Sequence, residues 1–168
     1  MKKLFQNIVT SPSLLSLILS LSALIFAMFL QYKFNLIPCY LCELQRYGYV
    51  VALLLAILGI KYKDNNIFPT LISIAFLAVF IIAFWHKGIE AYWWSPTSEC
   101  TEMSYNIGTL QEELEKANTE KPTASCDQLS PTLLNITLVE WSLIYAFVSF
   151  ISVTFLLLKR IIGKKNEF

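Results

Sequence analysis

Four charge-poor apolar blocks constrain this chain more than any other feature: Leu14–Leu30, Tyr47–Ile60, Ile67–Trp85 and Trp141–Leu158. A helix that crosses a bilayer needs about 17–25 predominantly apolar residues, because the hydrocarbon core offers its backbone no hydrogen-bond partners. The first, third and fourth blocks meet that length. The second meets it only by including the residues around the Cys39/Cys42 pair, which sets Cys42 and Arg46 at the membrane boundary. Apolar residues make up 56% of the chain and charged residues 15%, against about a half and about a quarter in soluble domains. The fold class expected is an all-α membrane protein. It is a single domain over residues 1–168, a four-helix bundle with spans near 13–31, 43–61, 67–86 and 139–159. A cleaved secretory signal is the competing reading of the first block, since Lys2 and Lys3 precede it. The block is longer than a signal core and no small-x-small site follows it, so a retained anchor is favoured.

Charge sets the orientation. Lys2 and Lys3, Lys61 and Lys63, and Lys159, Arg160, Lys164 and Lys165 fall on one side if the spans alternate, opposed there only by Asp64 and Glu167. Basic residues in short loops mark the cytoplasmic face, so both termini are expected in the cytoplasm. The outward loops are then 32–42 and 87–138. All four cysteines lie on that outer side, in a compartment where disulfides persist. The longer loop holds Cys100 and Cys126, punctuated by Pro96, Pro122 and Pro131. Thr109 with Glu112 resembles a capping box, and Leu110 with Leu114 forms a small apolar stripe. A short surface helix over Thr109–Asn118 is expected.

Cys39-Tyr40-Leu41-Cys42 carries the chemistry. Sulfurs one helical turn apart close a small, readily opened disulfide. The start of a helix favours a thiolate, and Arg46, at i+4 from Cys42, can stabilise an anion on the same face. Four cysteines allow three pairings. The natural one joins Cys39 to Cys42 and Cys100 to Cys126, the second pair closing a loop open to a protein partner. A zinc site would take a second close pair, so no metal is expected. A c-type haem needs His where Glu43 stands. Two purely structural disulfides remain as the bland alternative. A structural bond is a poor account of a dithiol at the mouth of a membrane helix with Arg one turn away.

Cys39-Tyr40-Leu41-Cys42 followed by Gln45-Arg46, two loop cysteines at 100 and 126, and His86 at the end of the third span resemble the DsbB family of membrane disulfide-forming proteins, and the likeness in topology covers the whole chain. Leu44 departs from the family's common aromatic residue. The resemblance implies a quinone-linked oxidoreductase, with ubiquinone or menaquinone as cofactor, that recharges a DsbA-type thioredoxin-fold partner in a bacterial cytoplasmic (inner) membrane. Cys39, Cys42, Cys100 and Cys126 would form the relay: the partner attacks Cys100, Cys126 attacks Cys39, and Cys42 leaves as a thiolate facing the quinone. Arg46 and His86 are the residues expected at the cofactor. Arg46 otherwise snorkels to head groups, and His86 otherwise ends a helix as a polar interfacial group. Glu43 reads as a solvated acid and Glu140 as an N-terminal helix charge. Trp85, Trp93, Trp94 and Trp141 read as an interfacial aromatic belt. Membrane lipid, quinone and the thioredoxin-fold protein are the expected partners, and no nucleic-acid patch is present. The alternatives are a protein like vitamin-K-epoxide reductase, whose arrangement puts the Cys pair near a late helix, and a non-catalytic scaffold held by structural disulfides.

Overall fold

The computed structural model describes residues 11–63, 65–95, 97, 100, 124–126 and 129–165. Among these, four helices are long and apolar enough to cross a membrane. They are α1 (Pro12–Phe34), α2 (Tyr40–Lys61), α3 (Ile67–Glu90) and α4 (Leu138–Lys165). A two-residue hairpin, β1 (Thr132–Leu133) with antiparallel β2 (Ile136–Thr137), leads into α4. The surface helix expected over Thr109–Asn118 lies outside the described residues.

α1 and α2 start where the sequence supplies a side-chain cap. Ser11 accepts from Leu14 N–H at 3.5 Å with Pro12 next to it, and Asn35, at φ 51°, ends α1 in the left-handed conformation. Cys39 starts α2: its backbone is extended and its Sγ accepts from Cys42 N–H at 3.3 Å. That sulfur satisfies a donor the first turn would leave orphaned. Hence α2 begins at Tyr40 rather than near 43, and Cys42 lies inside the helix rather than in the 32–42 loop. Likewise α3 continues a full turn past residue 86 to Glu90. His86 is therefore inside the span and not at its end.

The bundle buries small residues and turns large ones outward. Ser13, Ser16 and Ser20 of α1 are buried, as are Ala52, Ala56 and Gly59 of α2. Ile72, Phe76 and Val79 of α3 meet Ala146 and Val153 of α4 at the centre. In contrast, Ile25 is 60% exposed and Phe155 64%. That inversion of the soluble rule is what hydrocarbon solvent permits, and small residues let helices approach closely within it. α3 packs against both α2 and α4, with α1 against α2. Polar ties cross the helices: Ser73 Oγ and Thr154 Oγ1 at 2.6 Å, and Tyr145 O–H donating to the Leu19 carbonyl at 2.8 Å. Arg160 also donates to the Lys63 carbonyl, which places the basic end of α4 beside the α2–α3 link.

At Gly48, α2 comes close to α3. A Cβ there would run into Val79 Cγ2, a methyl on a stiff, fully buried side chain. Gly48→Ala is expected to destabilise the bundle by about 1–3 kcal/mol, the usual cost of overpacking. A lower thermal midpoint in detergent checks it.

Candidate functional site

The site begins with a short crossing of chain segments. Ala124 pairs in a parallel bridge with Cys39, its N–H donating to the Pro38 carbonyl at 3.3 Å. That bridge lays residues 124–126 along the start of α2. Cys126 N–H in turn donates to the Cys100 carbonyl at 3.0 Å, which also accepts from Ser125 Oγ at 3.1 Å. Cys39 Sγ lies 2.7 Å from Cys42 Sγ and 3.6 Å from His86 Nε2. Cys39, Cys100, Cys126 and His86 are buried, and Cys42 is half-buried.

Electrostatics separate the sulfurs of the reduced form. The Cys39 thiol donates to Cys126, and Cys100 and the N–H groups of Leu41 and Tyr40 add to that support; together they outweigh burial and bring the Cys126 thiol down to about 6. This is a thiolate held at a helix N-terminus. Cys39, as the donor to Cys126 and a neighbour of Cys42, is pushed far up. Burial raises Cys100 to about 11, with its hydrogen bond to Cys126 acting in the same direction. Among Cys39, Cys100 and Cys126, the thiolate therefore belongs to Cys126 above about pH 6 and is lost below it. Thiolate absorbance of the fully reduced protein is expected to show a step near pH 6 that Cys126→Ser removes.

Beyond Cys42 the site opens into a cavity of about 710 Å³ between α1, α2, α4 and the hairpin. Cys42, Gln45, Arg46 and Tyr49 share the α2 face that lines it. Phe26 and Leu30 of α1 and Leu138 and Val139 of α4 make its walls apolar. Arg46 is anchored across the gap, donating to Gln31 Oε1 at 2.5 Å and to the Ala27 carbonyl at 3.4 Å. Gln45 Oε1 accepts from Ser142 Oγ. Tyr49 O–H is buried and has no hydrogen-bond partner among the described residues. The volume, apolar walls and few convergent polar groups suit a small, largely apolar molecule. Leu44 is on the outer side of the helix, 36% exposed.

A polar latch holds this end of the bundle. Glu90, 2% exposed, accepts from Ser130 N–H and from Thr137 Oγ1, each at 3.0 Å, and pairs with Lys87 at 3.1 Å. Lys87 also reaches Glu140 at 2.8 Å. Glu140 accepts from Thr137 N–H at 3.0 Å and so caps α4, beyond the dipole role read from sequence. Glu90→Ala would strand the Ser130 N–H, free the Thr137 hydroxyl and leave Lys87 with Glu140 as its remaining carboxylate. It is expected to cost about 2–3 kcal/mol, the scale of hydrogen bonds to a charged group, seen as a lower midpoint of thermal unfolding.

Of the residues singled out in sequence, Cys39, Cys42, Cys126 and His86 meet in one cluster. Arg46 lines the adjoining cavity, and Cys100 stands behind Cys126. Trp85 and Trp94 stack at 4.9 Å between centroids, while Trp141 Nε1 donates to the Leu133 carbonyl at the cavity rim. Gln31, Gln45, Tyr49, Lys87 and Glu90 were not foreseen as site residues. Gln45 and Tyr49 follow Cys42 at helical spacing, a signal that could have found them. Gln31 and the latch depend on contacts between helices.

A membrane-embedded bundle with two converging cysteine pairs beside an apolar cavity defines a thiol–disulfide redox protein of the bilayer. The model of the DsbB family, described as disulfide bond formation protein DsbB, matches residues 10–157. The chain belongs to that family. It is 28% identical over 156 residues to the Disulfide bond formation protein B of Herminiimonas arsenicoxydans, covering 88% of this chain and 91% of the relative. It is also 24% identical over 134 residues to an uncharacterized protein of Rickettsia prowazekii (strain Madrid E), covering 79% and 78%. No solved structure matches it.

Proposed function

We propose that this protein reoxidises a DsbA-type thioredoxin-fold partner and passes the electrons through its two cysteine pairs to membrane quinone. The observation that carries the reading is the order of sulfurs: Cys100 behind Cys126, Cys126 against Cys39, and Cys39 beside Cys42, which alone of the four lines the cavity.

The partner's thiolate attacks Cys100 of a Cys100–Cys126 disulfide, forming a mixed disulfide and releasing Cys126 as a thiolate. Cys126 then attacks Cys39 of the Cys39–Cys42 disulfide, and Cys42 leaves as a thiolate at the cavity. The partner's second thiolate attacks its own sulfur in the mixed disulfide, which frees Cys100 and releases oxidised partner. Cys100 attacks Cys126, restoring its own disulfide and freeing Cys39. The net change is one dithiol oxidised in the partner and one formed at Cys39 and Cys42. Quinone supplies the two-electron acceptor for that dithiol. Arg46, fixed by Gln31 and the Ala27 carbonyl, supplies positive charge beside Cys42, while Gln45 and Tyr49 offer hydrogen-bonding groups. Exchange is favoured when a well-stabilised thiolate leaves, which suits Cys42.

The site end is extracytoplasmic in this reading and both termini are cytoplasmic, in a bacterial inner membrane. Lys61, Lys63 and Arg160 lie at the opposite end of the bundle from the cysteines, which supports that orientation. The test is quinone absorbance when reduced partner and a soluble quinone analogue are added to the detergent-purified protein, with Cys42→Ser and Cys100→Ser alongside. Reduction abolished by both substitutions is the expected result. Reduction that survives either one overturns the relay.

A further inference from the structure

Three donor atoms from separate parts of the fold converge behind the Cys pair: Cys39 Sγ at the start of α2, His86 Nε2 within α3 and Cys126 Sγ in the 124–126 segment. All three residues are buried, and the donors lie within 4.8 Å of one another. Cys39 Sγ and His86 Nε2 are 3.6 Å apart. Tetrahedral zinc, with bonds of about 2.3 Å to sulfur and about 2.0–2.1 Å to nitrogen, holds such ligands about 3.6 Å apart. The observed pair therefore has the spacing of two corners of a zinc tetrahedron, and Cys126 offers a third. The sequence pointed away from zinc because it shows only one close Cys pair. The fold supplies what spacing could not, a histidine from α3 and a cysteine from the long loop.

We propose that the fully reduced protein binds one zinc ion through Cys39, His86 and Cys126. Two thiolates and an imidazole select a soft ion over magnesium or calcium. His86 also lines the cavity, which gives the ion a path to the cluster. Binding displaces the Cys39 thiol proton, engages Cys126 as a thiolate and moves no electrons. It requires the dithiol form, since a disulfide at Cys39 or Cys126 removes a ligand. A bound ion holds the sulfurs that must exchange with one another, so zinc acts as a brake on the reduced state.

The test uses tag-free, quinone-free full-length protein in detergent, reduced and freed of reductant without oxygen, then titrated with Co²⁺ as the optical probe and back-titrated with Zn²⁺. One Co²⁺ per chain is expected, with sulfur-to-cobalt charge-transfer absorption and tetrahedral d–d bands that Zn²⁺ abolishes. Affinity should fall more than about tenfold in His86→Gln and in Cys126→Ser, since even residues that merely support a metal site act on that scale. Cys100→Ser should keep it and the disulfide form should lack it, with thermal midpoints showing that each variant is folded. Absence of the charge-transfer band in the reduced protein overturns the proposal. So does a band that survives His86→Gln at full affinity, persists in the oxidised protein or disappears in Cys100→Ser.

Discussion

Cys126→Ser is expected to abolish oxidation of a protein dithiol while preserving quinone reduction driven by a small dithiol such as dithiothreitol. Cys39→Ser is expected to abolish both. The difference follows from where the two sulfurs stand. Cys39 touches every other member of the cluster, with Cys42 Sγ at 2.7 Å on one side and His86 Nε2 at 3.6 Å on another. Without it no disulfide can form beside the cavity, and neither electron source has a route. Cys126 is reached through the loop, its N–H on the Cys100 carbonyl and its sulfur at the first N–H groups of α2. Its loss severs the loop pair from the helix pair and leaves Cys39 and Cys42 in place. A small dithiol can attack that pair directly, because it needs neither Cys100 nor a docking surface. The assay is quinone absorbance with each reductant in turn. Equal loss of both activities in Cys126→Ser would mean that Cys126 maintains the helix pair itself, and the division into two exchange steps would fall.

Much of this arrangement was legible in the chain. Block lengths gave three spans and the residues around the Cys pair completed the fourth, while the basic residues gave one end of the bundle a character distinct from the other. Cys42, Gln45, Arg46 and Tyr49 share a face because helical spacing puts them there, and spacing is a local property. What escaped the sequence is contact between segments distant along the chain. Nothing near Cys39 shows that Ala124 will pair with it, or that its sulfur will cap α2 and so draw Cys42 into the helix. His86 reads as a helix-end residue, whether at the cofactor or as a polar interfacial group, because it follows Trp85 at the close of an apolar block. The helix runs on because Lys87 and Glu90, polar in sequence, neutralise each other at i,i+3 and find Glu140 and Thr137 across the bundle. Charged residues close a membrane helix in a sequence reading and extend it in a structure that satisfies them.

The second large effect is expected at Arg46. Arg46→Met should lower kcat/KM for a soluble quinone analogue by about 10²–10³-fold, the range for removing a preorganised group that stabilises developing negative charge. The guanidinium is preorganised because two of its nitrogens are engaged, one by Gln31 Oε1 and one by the Ala27 carbonyl, both from α1. Those contacts hold the charge at the cavity wall, where it would otherwise extend toward head groups as boundary arginines do. Arg46→Lys separates charge from geometry. Lysine keeps a point charge but cannot engage both α1 acceptors with a planar fork. It should recover part of the loss, through kcat more than through KM. Gln31→Ala leaves the charge and removes one anchor, so its effect should be smaller than that of either Arg46 variant. If Arg46→Met left the rate with quinone unchanged, the guanidinium would be a structural tie between α1 and α2. The loss would then appear in thermal stability, where Gln31→Ala would share it.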